Sequence, residues 1–161
     1  MPASLPVVDV DIVSADDGIP PVAAIQDWVQ SALIVSRHPV ADAEVSVRVV
    51  NESEMQTLNR DFRQQDRSTN VLSFPAGEIA GLPADARQLL GDIIVCAPVI
   101  AREAAEQGKK LSDHWAHMVV HGTLHLLGHD HQSDEQAAVM EALEKQVLER
   151  HGIRNPYGAP R

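Results

Sequence analysis

The chain has 161 residues, one domain's worth of protein and enough to bury a core without disulfides or a structural metal. Apolar residues make up 44% and charged residues 22%, which is too apolar for a disordered chain. The 13 Lys and Arg stand against 23 Asp and Glu, and the net charge of −10 argues against coating nucleic acid through bulk positive charge, leaving only a local basic cleft compatible.

The lone cysteine, Cys96, excludes a disulfide framework and any multi-cysteine zinc site. Aromatics at 3% argue against a base-stacking platform. No apolar run approaches the roughly 18 residues a membrane span needs. Met1 to Ser14 has neither a basic start nor a continuous apolar run, so it does not read as a secretory signal. With the single cysteine, this points to the cytoplasm.

In chain order, Val7 to Val13 alternates apolar residues with Asp9 and Asp11, the period of a half-buried strand. After the Asp16-Asp17-Gly18 turn, a helix is predicted over Val22 to Ser36, with Ile25, Trp28, Val29, Ala32 and Leu33 on one face. Val45 to Val50 reads as a strand with Ser46 and Arg48 facing away from Val45, Val47 and Val49. A short helix follows from Ser53 to Phe62, capped by Asn51 or Ser53. Val71 to Phe74 is a short strand stopped by Pro75, and Gly77 to Gln88 reads as a loop. Leu90 to Cys96 is a strong strand centred on Ile93, Ile94 and Val95.

Pro98 to Gln107 forms the next helix, ended by Gly108. Ser112 or Asp113 is the expected cap of a long helix running to Leu127 and ended by Gly128. The last helix spans Asp134 to His151, before Gly152. The pattern predicts a small four-stranded sheet packed by several helices. Residues 1–154 are expected to form a single catalytic domain, and 155–161 a loose tail.

Six of the eight histidines lie between His114 and His131. Within His121-Gly122-Thr123-Leu124-His125-Leu126-Leu127-Gly128-His129-Asp130-His131, the i, i+4 pair His121 and His125 shares one helix face. Gly128 can take a left-handed conformation, turning the chain so that His131 reaches the same ion. Three imidazoles leave a fourth position open, the layout of a catalytic zinc-type site. The same spacing occurs in metzincin proteases, but these carry a glutamate base where this chain has Gly122, which disfavours a peptidase.

At these residues the chain resembles the YbeY endoribonucleases, a bacterial family of single-strand-specific, metal-dependent RNases. The motif H-G-x-L-H-L-x-G-x-D-H is matched from His121 to His131 at every fixed position. Upstream, Leu58-Asn59-Arg60-Asp61-Phe62-Arg63, Thr69-Asn70-Val71-Leu72-Ser73-Phe74-Pro75 and Leu90-Gly91-Asp92-Ile93-Ile94-Val95 extend the match, which covers about Val45 to Glu149. The position before Asp130, often Tyr in the family, is His129.

The resemblance implies an α+β fold: a small mixed sheet of about four strands packed by about five helices, with a metalloprotease-like metal site on a helix and the following turn. It implies one zinc ion per chain on His121, His125 and His131, and Arg63 as the functional arginine of the cleft. A guanidinium suits phosphate because its fork donates two parallel hydrogen bonds. It further implies cleavage of single-stranded RNA, with roles in 16S ribosomal RNA 3′-end maturation and ribosome quality control. Implied partners are ribosomal particles, with a small-subunit ribosomal protein and an assembly GTPase as candidates, and no membrane.

Arg60 and Arg67, with Arg102, Lys109 and Lys110, are the further cations available to gather RNA. Asp130 is expected to orient an imidazole or close the turn after Gly128. His114 and His117 read as structural or solvent-facing, and Asp92 as bonded to backbone or a histidine. Cys96 reads as a small core residue. Two other functions fit the residues: a zinc hydrolase of another substrate, and a non-enzymatic ribosome-assembly factor with a structural metal.

Overall fold

The computed structural model describes residues 6–37, 43–76, 88–130, 132–154 and 156. In chain order the elements are β1 (Val7–Ile12), α1 (Val22–Val35), β2 (Ala43–Val50), α2 (Glu52–Arg63), β3 (Val71–Pro75), β4 (Gln88–Cys96), α3 (Ala97–Gln107), α4 (Leu111–Leu126) and α5 (Asp134–Arg150). This is the expected α+β architecture, with one four-stranded sheet and five helices among the described residues.

The sheet order is β1-β2-β4-β3. β1, β2 and β4 run parallel, and β3 pairs antiparallel with β4. Alternation along β2 sends Val45, Val47 and Val49 to one face, with Ser46 and Arg48 half-buried opposite. Register places Val47 between Val10 of β1 and Ile93 of β4, which makes a continuous apolar row. Ile25, Trp28, Val29, Ala32 and Leu33 of α1 close over this face, as their spacing predicts. Trp115, Val119 and Leu124 of α4 and Val147 and Leu148 of α5 join them. Each such burial contributes roughly 1.5–3 kcal/mol against the entropy of ordering the chain.

A second, smaller core lies on the opposite face. Met55 of α2 packs there with Val50, Phe74, Ile94 and Cys96, flanked by Leu58 and Phe62. Phe62 meets Phe74 edge-on at 5.4 Å between centroids. This second core fastens α2, and hence its last residue Arg63, against β3.

Local signals place the helix ends. Asn51, one of the two expected caps, accepts the Glu54 N–H at 3.0 Å. Ser133 does the same for Gln136 at 3.1 Å, opening α5. The expected cap of α4 is corrected. Neither Ser112 nor Asp113 caps it; the helix starts at Leu111 with Lys110 as N-cap and no side-chain cap bond. Leu111 packs against the main core, so burial draws the first turn back by one residue or more. Asp113 lies inside that turn, where its charge faces the positive end of the helix dipole.

β4 begins at Gln88 rather than Leu90, because Gln88 and Leu89 pair with Ala43 and Glu44 of β2. The predicted loop from Gly77 lies outside the described residues up to Gln88, as does the predicted tail apart from Pro156. Among the described residues, no helix is long and apolar enough to cross a membrane.

Candidate active site

His114, His117, His121 and His125 of α4 follow one another at helical spacing along a single face. Their ring centroids are 6.3, 6.1 and 4.6 Å apart in succession. The face runs from core to surface: His114 and His117 are buried, while His121 and His125 are half-buried. His121 and His125 line a cleft of about 490 Å³ with Arg63 of α2 and with Asn70, Val71, Leu72, Ser73 and Pro75 on and beside β3. The third expected ligand, His131, lies outside the described residues. Gly128 ends the helix as expected, with φ +99°, and His129 and Asp130 follow half-buried.

Gly122 explains how α4 comes so close to the sheet. A Cβ there would sit 2.8 Å from Val71 Cγ2 and 2.9 Å from Ile93 Cγ2. The position that carries the base in the metzincins is therefore pressed against β3 and β4, with no room for a side chain. Ser73 Oγ donates to the Gly122 carbonyl at 2.6 Å, pinning β3 to α4 at this crossing.

Arg63 is held flat at the cleft wall. Its Nη1 donates to Phe62 O at 2.9 Å and its Nη2 to Ser73 O at 2.8 Å. The guanidinium carbon lies 4.6 Å from the Phe74 ring centroid. Among the described residues, none of the other cations expected to gather RNA lines the cleft. Arg60 pairs with Asp61 and Arg102 with Glu52, each at 3.1 Å.

Two carboxylates serve the histidine face, and neither was singled out in the sequence. Glu144 of α5 is 1% exposed, with Oε2 at 2.6 Å from His117 Nε2 and 3.3 Å from His121 Nδ1. Burial alone would raise its pKa; the bonds from His117 and His121 outweigh that and hold it down at about 2. Its signal was a carboxylate at 144 in the apolar stripe of Met140, Val147 and Leu148. His117, His121 and Glu144 bring three ligand-type atoms within 4.8 Å of one another, a group able to bind a metal ion.

Glu103 of α3 lies 2.9 Å from His114 Nε2 and accepts from Asn70 Nδ2 at 3.2 Å. Asn70 Oδ1 in turn takes the Val71 N–H at 2.7 Å, fixing the start of β3. Burial lowers the pKa of His114 against the opposing pull of Glu103. His114 and His117 are thus both buried beside carboxylates, and neither is solvent-facing.

Burial raises the pKa of Asp92, opposed by the Ser46 hydroxyl, its register partner on β2. Cys96 is a buried core residue, and burial pushes its thiol up to about 11.

Residues 13–152 match the family described as endoribonuclease YbeY. The chain belongs to that family. The endoribonuclease YbeY of Halorhodospira halophila is 52% identical over 143 residues, covering 86% of this chain and 88% of the relative. That of Xanthomonas campestris pv. campestris (strain B100) is 50% identical over 145 residues, covering 89% and 88%. The solution structure of TM1509 from Thermotoga maritima superposes with a TM-score of 0.55 at 25% identity, covering 93% of this chain and 99% of that one. YbeY membership and the geometry agree on the stretch that matters. The matched span contains both walls of the cleft, Arg63 to Pro75 and His121 to His125.

Proposed function

We propose that the cleft between α4 and β3 is the active centre of this endoribonuclease, acting on single-stranded RNA with a divalent metal on His121, His125 and His131. The observation that carries this reading is that His121, His125 and Arg63 line one cleft. Half-buried imidazoles one helical turn apart are the donor chemistry of a zinc-type site. An all-imidazole set suits zinc, and nickel, copper and iron also occupy such sites. When bound, such an ion supplies Lewis acidity, polarising a phosphoryl oxygen and acidifying water.

The chain's own residues do the rest. Arg63 is fixed by two carbonyls and the Phe74 ring, so its planar fork meets a phosphodiester with little ordering cost. It binds the scissile phosphate and stabilises charge that builds on it in the transition state. The cleft volume is on the scale of a small-ligand site, which favours a single strand over a duplex. Glycine at position 122 leaves the chain without the carboxylate base that a protease mechanism would use there.

In the cell this reading extends to 16S ribosomal RNA 3′-end maturation and ribosome quality control in the cytoplasm. Ribosomal particles would present the RNA, with a small-subunit ribosomal protein and an assembly GTPase as partners. Residues 1–154 act as one catalytic domain.

The test joins metal content to cleavage. The untagged chain is purified, its bound metal counted, and a labelled single-stranded RNA assayed before and after chelation. About one metal per chain, with cleavage lost on chelation and restored by zinc, is the expected result. His125→Ala should lose cleavage by at least ~10²-fold with unchanged circular dichroism. A metal-free chain that cleaves equally well would overturn the assignment.

A further inference from the structure

We infer that Glu144 is the positioning residue of this site: clamped by His117, its carboxylate holds His121 as the Nδ1–H tautomer and turns the other ring nitrogen, Nε2, to the cleft. The inference rests on the reading above, in that the cleft nitrogen of His121 is taken as a ligand atom.

The argument begins with donors and acceptors. A carboxylate oxygen offers lone pairs to more than one donor. Two imidazole nitrogens converge on Glu144 Oε2, and the arrangement that satisfies both contacts puts a proton on Nε2 of His117 and on Nδ1 of His121. A neutral imidazole has only one N–H. With Nδ1 protonated, His121 has its lone pair on Nε2, the form in which it can bind a metal ion from the cleft side. Without a partner at Nδ1, neutral imidazole interconverts between tautomers, and only one of them offers Nε2.

Packing explains why Glu144 can perform this task. It is among the largest fully buried side chains, set in α5 between Met140 and Val147–Leu148, which belong to the main core. A rotamer fixed by such a core does not drift. His117 Nε2 lies 2.6 Å from the same oxygen, a second short contact that holds the carboxylate in place.

The alternative is that Glu144 is itself a ligand, in a group with His117 and His121. Two ligand atoms about 2.0–2.1 Å from one tetrahedral ion lie roughly 3.3 Å apart. The 2.6 Å contact between His117 and Glu144 is shorter than that and suits a hydrogen bond. Partners of this kind raise ligand basicity and fix ring orientation, and their loss costs about 10–100-fold in metal affinity.

The test uses the full chain and two readouts. Long-range ¹⁵N–¹H NMR of the metal-free protein reports the tautomer of each histidine. His121 should be Nδ1–H in the wild type and should lose that fixed tautomer in Glu144→Gln. Cobalt(II) titration, read by its visible absorption, then gives affinity. The wild type should bind about one ion, and Glu144→Gln should bind about 10–100-fold more weakly.

A wild-type His121 found as Nε2–H overturns the inference by itself, without any variant, so an unfolded Glu144→Gln does not shield it. A Glu144→Gln that keeps both tautomer and affinity also overturns it. A cobalt complex held through His121 Nδ1 assigns Glu144 as a ligand and overturns it too. A wild type that binds no cobalt sinks the metal reading of the cleft instead, and the tautomer result still decides the role of Glu144.

Discussion

Ser73 Oγ donates to the carbonyl oxygen of Gly122 at 2.6 Å, and this single bond joins the two walls of the cleft. The same Ser73 gives its own carbonyl to Arg63. Arginine, strand and metal-site helix are thereby held in one relation. A β-strand edge and a helix can approach this closely only because residue 122 has no side chain.

Gly122→Ala therefore tests the crossing. Alanine in a helix interior gains up to about 1 kcal/mol over glycine. Here its Cβ would press on the stiff β-branched Val71 and Ile93, and overpacking of this kind costs about 1–3 kcal/mol. The expected net is a loss of up to about 2 kcal/mol in urea unfolding, with cleavage reduced as β3 is pushed away. A more stable and fully active variant would show that the crossing is loose.

Arg63→Lys keeps the charge but not the planar fork. Lysine cannot bridge the carbonyls of Phe62 and Ser73 while presenting two parallel donors to a phosphate. RNA cleavage should fall by about 10²-fold or more, chiefly in kcat. Equal activity would reduce Arg63 to a generic cation.

Acid should weaken the fold through His114. Burial lowers its pKa in the folded chain below the unfolded value near 6.5. The unfolded chain then takes up the proton first as pH falls. The contribution is present above about pH 6.5 and is lost below it. Urea midpoints measured from pH 7.5 down to 5.5 should drop faster for the wild type than for His114→Gln. Parallel slopes would show that His114 carries none of the effect.

Free RNA should bind weakly. A net charge of −10 repels a polyanion, and among the described residues Arg63 is the cation lining the cleft. Each phosphate neutralised on a single strand contributes a slope of about −0.7 in log affinity against log salt. A slope near −1, with weak affinity for a short single-stranded RNA at physiological salt, is expected. Tight nanomolar binding by the isolated chain would contradict it.

Most of the secondary structure was legible because its causes are local. The 3.6-residue period from Ile25 to Leu33 and the two-residue period of β2 survive unchanged as buried faces. The start of α4 is not legible in the sequence, because Ser112 and Asp113 have the chemistry of caps while burial of Leu111 decides the first turn. The neighbour of Asp92 across the sheet, Ser46, is likewise set by a parallel register that strand propensity does not specify.

The i, i+4 spacing of His121 and His125 is a covalent fact, and helix geometry alone puts both rings on one face. The identity of Gly122, which excludes a base at that position, is equally a matter of the written chain. Everything that gives those rings a setting comes from elsewhere. Arg63 reaches the cleft because a second core seats α2 against β3. Glu144 reaches His121 because α5 packs on α4, and a lone glutamate in an apolar stripe does not state which residue will meet it. Spacing within one helix is settled by bond lengths and dihedrals. The meeting of residues far apart in sequence is settled only when the apolar faces find their partners and exclude water.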